Sequence, residues 1–167
     1  AMAGDNDTDT VNNGFRNIAI GVDAMGAVNA GSHNTAKTDD NIAIGNDALK
    51  GGSFSSSNYQ LEDNIAIGSN ALDGTGGNPI AENIAIGTNA IGASLCGVSK
   101  SVAIGYNALS SATYDDSDGT VAVGHSAGAA LKGTTDVQFA SASVFVGYQA
   151  GLGVTTGIGN LAVGYQA

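Results

Sequence analysis

The chain repeats one short pattern of polar, aliphatic and small residues. In the first copy, Asn17-Ile-Ala-Ile-Gly21, a polar residue precedes two isoleucines separated by an alanine, and a glycine follows. Residues two positions apart share one face of an extended strand, and β-branched side chains suit that surface, so the pattern predicts a short β-strand. The eight copies begin at Asn17, Asn41, Asn64, Asn83, Ser101, Thr120, Ser143 and Asn160.

The spacing of the copies predicts a solenoid. The first positions are 24, 23, 19, 18, 19, 23 and 17 residues apart, which indicates a coil of about 17 residues with inserts of variable length. The inserts at 51–58, 73–78 and 114–119 are rich in Gly, Ser and Asp, a composition typical of surface loops. We therefore predict an all-β fold, a parallel β-roll or β-solenoid. Residues 1–16 form a lead-in and residues 17–167 form one domain of eight coils.

The residues that flank the predicted strand indicate how each coil turns. The leading Asn, Ser or Thr suits a turn, because its side chain bonds nearby backbone groups, and Asn and Gly tolerate the positive φ that a corner requires. Most copies continue with an alanine and an aliphatic residue, as in Ala71-Leu72, which predicts a second, shorter strand. The face opposite the isoleucines carries Ala and Gly, which allows another backbone to approach closely.

Composition and charge narrow the classes of partner. Glycine accounts for 26 of the 167 residues and aromatic residues for 5%, so the core is expected to be thin. The net charge of −10 argues against nucleic acid and anionic membranes, because both are bound through Lys and Arg. Neutral surfaces, glycans, cations and proteins remain as partners. Cys96 is the only cysteine, which excludes an intrachain disulfide, and we expect a small buried side chain there.

The thin core predicts self-assembly. Each coil buries only a few aliphatic side chains, and the free energy gained by burying them must offset the conformational entropy lost when the backbone of the coil is ordered. We therefore expect a homo-oligomer, a trimer around a fibre axis, in which the Ala/Gly face meets other copies. The opening Ala1-Met2-Ala3 looks like a cloning remnant, and Ala167 falls inside a repeat, so we expect a fragment of a longer fibrous chain.

The repeated polar-aliphatic-Ala-Ile-Gly-x-x-Ala pattern resembles the head repeats of trimeric autotransporter adhesins, the YadA-like parallel β-roll. The versions at Val146-Gly-Tyr-Gln-Ala-Gly151 and Val163-Gly-Tyr-Gln-Ala167 are similar to repeats of bacteriophage tail fibres. The resemblance covers nearly the whole chain from Asn17. It implies a left-handed homotrimeric β-roll, located on a bacterial cell surface or a virion tail, that attaches to a receptor, a glycan or a matrix protein. Neither resemblance implies insertion of this segment into a membrane.

Acidic residues form the candidate cation sites. Carboxylates at alternate positions or crowded around a turn offer the oxygen ligands that Ca²⁺ prefers, although neither cluster has the spacing of a full calcium loop. Solvated acidic loops are the alternative. The two clusters are Asp5, Asp7 and Asp9, and Asp115, Asp116 and Asp118. A third set, Asp40, Asp63 and Glu82, precedes successive repeats and is expected to form a column that either collects a cation or spreads into solvent.

Aromatic residues recur at the position after the repeat glycine. Tyr106, Tyr148 and Tyr165 occupy this position, and His125 lies between them. Such a stripe offers flat apolar surfaces with polar tips for sugar rings. The alternative is a packing ladder along the rod or at a subunit interface.

No catalytic arrangement emerges from the spacing. His33 and His125 are the only imidazoles, and the glycines recur with the repeat instead of forming a phosphate loop. We expect a non-enzymatic attachment module with its variable loops as the contact surface. A purely structural spacer is the alternative. An ice-binding solenoid is a third hypothesis, but threonines do not recur at matched positions.

Overall fold

The computed structural model describes residues 16–26, 38–51, 60–74, 80–92, 98–112, 118–132 and 142–167, and these contain strands and turns but no helix. No membrane-spanning helix therefore occurs in these ranges. The strands are β1 (Ile18–Ile20), β2 (Ile42–Ile44), β3 (Leu61–Glu62), β4 (Ile65–Ile67), β5 (Ile80–Ala81), β6 (Ile84–Ile86), β7 (Val102–Ile104), β8 (Val121–Val123), β9 (Val144–Val146) and β10 (Leu161–Val163).

Each copy of the repeat contributes one strand to a single parallel sheet. The strand order is β1-β2-β4-β6-β7-β8-β9-β10, and equivalent residues face one another, as in the pairing of Ala66 with Ala85. The amide of Ile65 donates to the carbonyl oxygen of Asn83 at 2.8 Å, which extends the ladder beyond the strand itself. β3 and β5 form a second, two-stranded parallel sheet. The predicted β-solenoid is confirmed.

The core lies between the strand alanines and two further rows of side chains. Ala66, in the middle of β4, is fully buried, as are Ala71 and Leu72 after the turn. The segment that precedes the strand adds Leu61, and Ile80 fills the same row in the next coil. Because the inner strand position faces this narrow space, it takes a small side chain in most coils.

This arrangement corrects our expectation for the Ala/Gly face. We expected that face to meet other subunits, but its alanines are already buried within the chain. The two aliphatic residues of each strand point outward instead, and Ile20 is 55% exposed. The physical reason is volume, because the space between the layers accepts alanine while the outer surface accepts a β-branched side chain.

The predicted second strand at Ala71-Leu72 is also wrong. Both residues lie in a turn, and Leu72 has a φ of 52°. Within the same coil Asp63 and Asn70 have φ values of 56°, so three residues turn the chain through the left-handed region. A leucine in this region is uncommon. The amide of Leu72 donates to the oxygen of Ala90 in the next coil at 2.9 Å, and this bond and the buried side chain hold the conformation.

The glycine after each strand is required by the close stacking of the coils. Gly87 has a φ of 130°, which side chains rarely adopt. A Cβ atom at this position would lie 2.7 Å from the carbonyl carbon of Gly105 in the next coil. Neither backbone has room to shift, so only glycine fits.

The leading polar residues form a buried ladder. Their predicted bonding to nearby backbone is confirmed, but the positive φ of this corner lies at the residue before them, as at Asp63. The side-chain amide of Asn64 donates to the backbone oxygens of Ile80 and Glu62, both at 2.9 Å, and to Oδ1 of Asn41 at 3.0 Å. Its own Oδ1 accepts from the backbone and side-chain nitrogens of Asn83, both at 3.1 Å. These bonds satisfy polar groups that would otherwise be buried without partners.

Phe145 replaces the inner alanine of β9 and changes the core around it. Its ring is fully buried. Gly128 and Gly151 occupy the positions that hold Met, Leu or Ile in earlier coils, and a Cβ atom at Gly128 would lie 2.7 Å from Cδ2 of the ring. A Cβ atom at Gly151 would overlap the ring more severely. An Ala/Leu pair has thus been exchanged for a Phe/Gly pair, which keeps the core filled.

Candidate functional site

The outer surface of the eight-stranded sheet carries two columns of aliphatic side chains, which we call the aliphatic face. They are the first and third residues of each strand, so their positions follow from the strand period of two. Exposure is 37% at Ile104, the last residue of β7, and at Val146, the last residue of β9. The members are Ile18, Ile20, Ile42, Ile44, Ile65, Ile67, Ile84, Ile86, Val102, Ile104, Val121, Val123, Val144, Val146, Leu161 and Val163.

The structure brings the four predicted aromatic residues together in one stack, which we call the aromatic column. The ring centroids of Tyr106 and His125 are 5.1 Å apart, as are those of His125 and Tyr148. Tyr148 and Tyr165 are 5.2 Å apart, with an angle of 10° between their planes. The spacing is that of the parallel strands that carry the rings. The predicted ladder along the rod is therefore present, and ligand binding to it stays a prediction.

The rings of the aromatic column are exposed to solvent. Tyr106 is 49% exposed, Tyr148 41% and Tyr165 73%. Each ring therefore leaves part of its surface open to solvent.

Next to the aromatic column runs a column of amide and hydroxyl side chains, which we call the amide column. It consists of Asn107, Ser126, Gln149 and Gln166, each directly after an aromatic residue. Nε2 of Gln166 donates to Oε1 of Gln149 at 2.9 Å. All four residues have φ between 52° and 55°. This column was not predicted, although the Tyr-Gln pairs at both final repeats were its signal in the sequence.

Most of the predicted calcium ligands lie outside the described residues. These are Asp5, Asp7, Asp9, Asp115 and Asp116, and His33 and Cys96 lie outside them as well. Asp118 is described, and its Oδ1 accepts a hydrogen bond from the amide of Ser99 at 2.6 Å. Within the described ranges, no group of three or more His, Cys, Asp or Glu residues is arranged to hold a metal ion.

The predicted acidic column begins with an ion pair. The guanidinium of Arg16 donates from Nε and Nη2 to the two carboxylate oxygens of Asp40, at 2.5 and 2.6 Å. These hydrogen bonds hold the pKa of Asp40 below its ordinary value. Asp63 and Glu82 follow along the column and are exposed. The bidentate geometry shows that one carboxylate is neutralised from within the chain.

A second charged group lies at the opposite corner. Nζ of Lys50 is 2.7 Å from Oδ1 of Asp47 and 3.8 Å from Oδ2 of Asp23. The hydrogen bond to Asp47 raises the pKa of Lys50. Partial burial, followed by the charge of Asp47, raises the pKa of Asp73. The residues 142–167, in contrast, contain no charged side chain at all.

The outward direction of the aliphatic face was also missed by the sequence analysis. The available signal was the Phe145 copy of the repeat, in which a large ring at the inner position coincides with glycines where other coils have Leu or Ile. A change from a small to a large side chain at one position, matched by the opposite change at another, is expected only between positions that share a core. This signal would have placed the middle residue of each strand inside.

Comparisons with known proteins identify no relative of this chain. The chain matches no protein-family profile, no curated protein sequence and no solved structure.

Proposed function

We propose that this chain is a segment of a homotrimeric surface fibre, an attachment module of the kind found in autotransporter adhesins and bacteriophage tail fibres, and not an enzyme. The observation that carries the proposal is the aliphatic face. Two columns of Ile, Val and Leu side chains run along the outside of the sheet. Monomeric proteins rarely expose continuous apolar patches of more than a few hundred Å², and larger ones mark interfaces.

The proposed contact between subunits uses the aliphatic face in place of the Ala/Gly face. Each strand contributes two aliphatic side chains at equal intervals, so two copies aligned along the rod bring apolar surface together at every coil. Burying it removes the main apolar exposure of the described residues and stabilises coils whose own core is thin. The variable inserts between coils are the proposed contact with a receptor, glycan or matrix protein.

The assembly is tested by placing a charge on this face. Ile67→Lys, at the end of β4, is expected to dissociate the trimer, because an unpaired ammonium would be buried at the interface. The matched control is Ser69→Lys, two residues later on the exposed turn. Light scattering coupled to gel filtration measures the mass. A wild-type monomer, or equal masses for both variants, would contradict the proposal.

Attachment itself is tested by binding of the wild-type chain to bacterial and mammalian cells. Saturable adhesion is expected at micromolar or lower concentration. A structural spacer is the alternative function, favoured by the constant register of all eight strands. A folded trimer that binds none of the surfaces would select the spacer.

A further inference from the structure

The aromatic column has a neighbour and a setting that together define a class of ligand. Each of its rings is followed directly by a member of the amide column, so a ring and a polar side chain recur as a pair in four successive coils. Ser126 is buried, so the polar side chains open to a ligand are those of Asn107, Gln149 and Gln166. The pairs follow one another at 5.1, 5.1 and 5.2 Å along the rod. A ligand that uses several of the open pairs must itself be linear and repetitive.

We propose that the aromatic and amide columns bind an uncharged, linear glycan whose chain runs along the rod axis. The inference rests on the proposed attachment function and names its ligand class. Sugar rings present C–H groups on one face and hydroxyl groups at the rim. The C–H face packs on the open part of an aromatic ring, while the hydroxyls bond to the amides.

The hydrogen-bonding capacity of the amide column supports this assignment. A carboxamide carries two N–H donors and two acceptor lone pairs. The bond between Gln166 and Gln149 uses one donor of the first and one lone pair of the second. The remaining groups offer donors and acceptors in the mixture that sugar hydroxyls require. The bond also holds both side chains in place, which lowers the entropic cost of binding.

Charge selects a neutral glycan. The segment 142–167, which contains two rings and two amides of the site, has no Asp, Glu, Lys or Arg. An acidic polysaccharide would find no cation there and would be repelled by the net charge of −10. A cationic ligand would find no carboxylate. An uncharged glycan is not repelled by the net charge and needs no counter-charge in the site.

The amino-terminal coils provide an internal control. At the position of the aromatic column they carry Val22, Asn46, Ser69 and Thr88. The backbone is the same in both regions, since all eight strands pair in one register. Binding is therefore expected in the carboxyl-terminal coils and not in the amino-terminal ones.

The experiment uses the whole chain on an array of neutral and acidic glycans, followed by calorimetry with the best neutral hexasaccharide and its trisaccharide. The longer chain should bind more tightly, because it engages more pairs. Tyr148→Ala and Tyr165→Ala should each weaken binding by about tenfold. Tyr148→Phe should bind within about threefold of wild type, since the ring is kept. Gln149→Met should weaken binding through loss of the amide, and Ser69→Ala should have no effect.

Several results would overturn the assignment. They are binding to acidic glycans only, binding to no glycan at millimolar concentration, and unchanged affinity in both tyrosine-to-alanine variants. Tyr165→Ala guards against unfolding, because that ring has one stacking partner and the greatest exposure of the three tyrosines. A change of mass in the tyrosine variants would assign the column to a contact between copies. If variants that lose glycan binding still adhere to cells, the proposed attachment function holds and does not depend on this site.

Discussion

The first four coils and the last four coils build the same backbone from different side chains. In the amino-terminal half, which carries β1, β2, β4 and β6, asparagines form the corner ladder and charged residues are frequent. In the carboxyl-terminal half, which carries β7 to β10, the corner residues are mainly Ser and Thr, one core pair is Phe/Gly, and rings stack outside. The register of strand pairing is unchanged across the boundary.

This difference separates what the solenoid requires from what it tolerates. Every copy keeps the glycine after the strand, and in the seven copies that precede another coil the adjacent backbone leaves no space for a side chain there. The corner residue changes as long as it supplies polar atoms, and the core pair changes as long as its combined volume is conserved. The exposed position after the glycine is unconstrained by the fold, so it is available for function.

The largest predicted difference between the halves concerns the corner ladder. Asn64→Ala removes donors to Ile80 and Glu62 and the acceptor of Asn83, and we expect it to lower the free energy of unfolding by about 3–5 kcal/mol. Ser101→Ala should cost only about 1 kcal/mol, because the hydroxyl bonds of Ser101 are longer, at 3.2 and 3.3 Å. Denaturant unfolding at one protein concentration measures both. Equal losses would show that the two corner types are equivalent.

The exchange of core pairs gives the next largest effect. Gly151→Leu should destabilise by about 2–3 kcal/mol, because the new side chain overlaps Phe145. Phe145→Ala should cost about 3–5 kcal/mol through the cavity it leaves. The double variant recreates the Ala/Leu pair of the earlier coils and should recover at least about 1 kcal/mol relative to the sum of the single changes. Strict additivity in this double-mutant cycle would refute the compensation.

The aromatic column should contribute less to stability than the core. Tyr148→Ala removes stacking on His125 and Tyr165 and is expected to lower the free energy of unfolding by about 1–2 kcal/mol. Thr88→Ala, at the same position of the amino-terminal half, should change it by less than about 0.5 kcal/mol. Thermal unfolding followed by circular dichroism compares them. A loss in Tyr148→Ala as large as that of Phe145→Ala would make the column part of the core.

The smallest effects are the opposite pH dependences of two aspartates in the charged half. The pKa of Asp40 is lowered by its hydrogen bonds to Arg16, so its ionised form stabilises the fold above the unfolded pKa and that contribution is lost as the pH falls. The pKa of Asp73 is raised by burial, so its ionised form destabilises the fold at neutral pH, and protonation relieves this. Asp40→Asn should lower the melting temperature at pH 7, and Asp73→Asn should raise it.

Both differences from wild type should shrink as the pH is lowered through the acidic range, where the carboxylates of the wild-type chain become protonated. Calorimetry in a series of buffers from neutral to acidic pH follows the trend. The prediction fails if the two substitutions shift the melting temperature in the same direction at pH 7.

The sequence alone determined the repeat, the strands and their parallel stacking. These follow from local features: the two-residue period of Ile-Ala-Ile, the glycine after it and the nearly constant spacing of the copies. It also determined that the aromatic residues share a position, because residues at the same place in the repeat are stacked by the coil. Side chains such as Tyr106 and His125 were therefore predicted to be neighbours.

Only the tertiary structure decided which face of the strand lies inside. The alternation of Ile65 and Ala66 is the same whether the isoleucine or the alanine faces the core. Which of them does so depends on the distance between the strand layer and the opposite row of Leu61 and Leu72. That distance depends on residues with positive φ, such as Asp63, Asn70 and Leu72, whose backbone amides donate hydrogen bonds to adjacent coils. The period of a strand fixes which residues share a face, and the packing across the coil fixes where that face points.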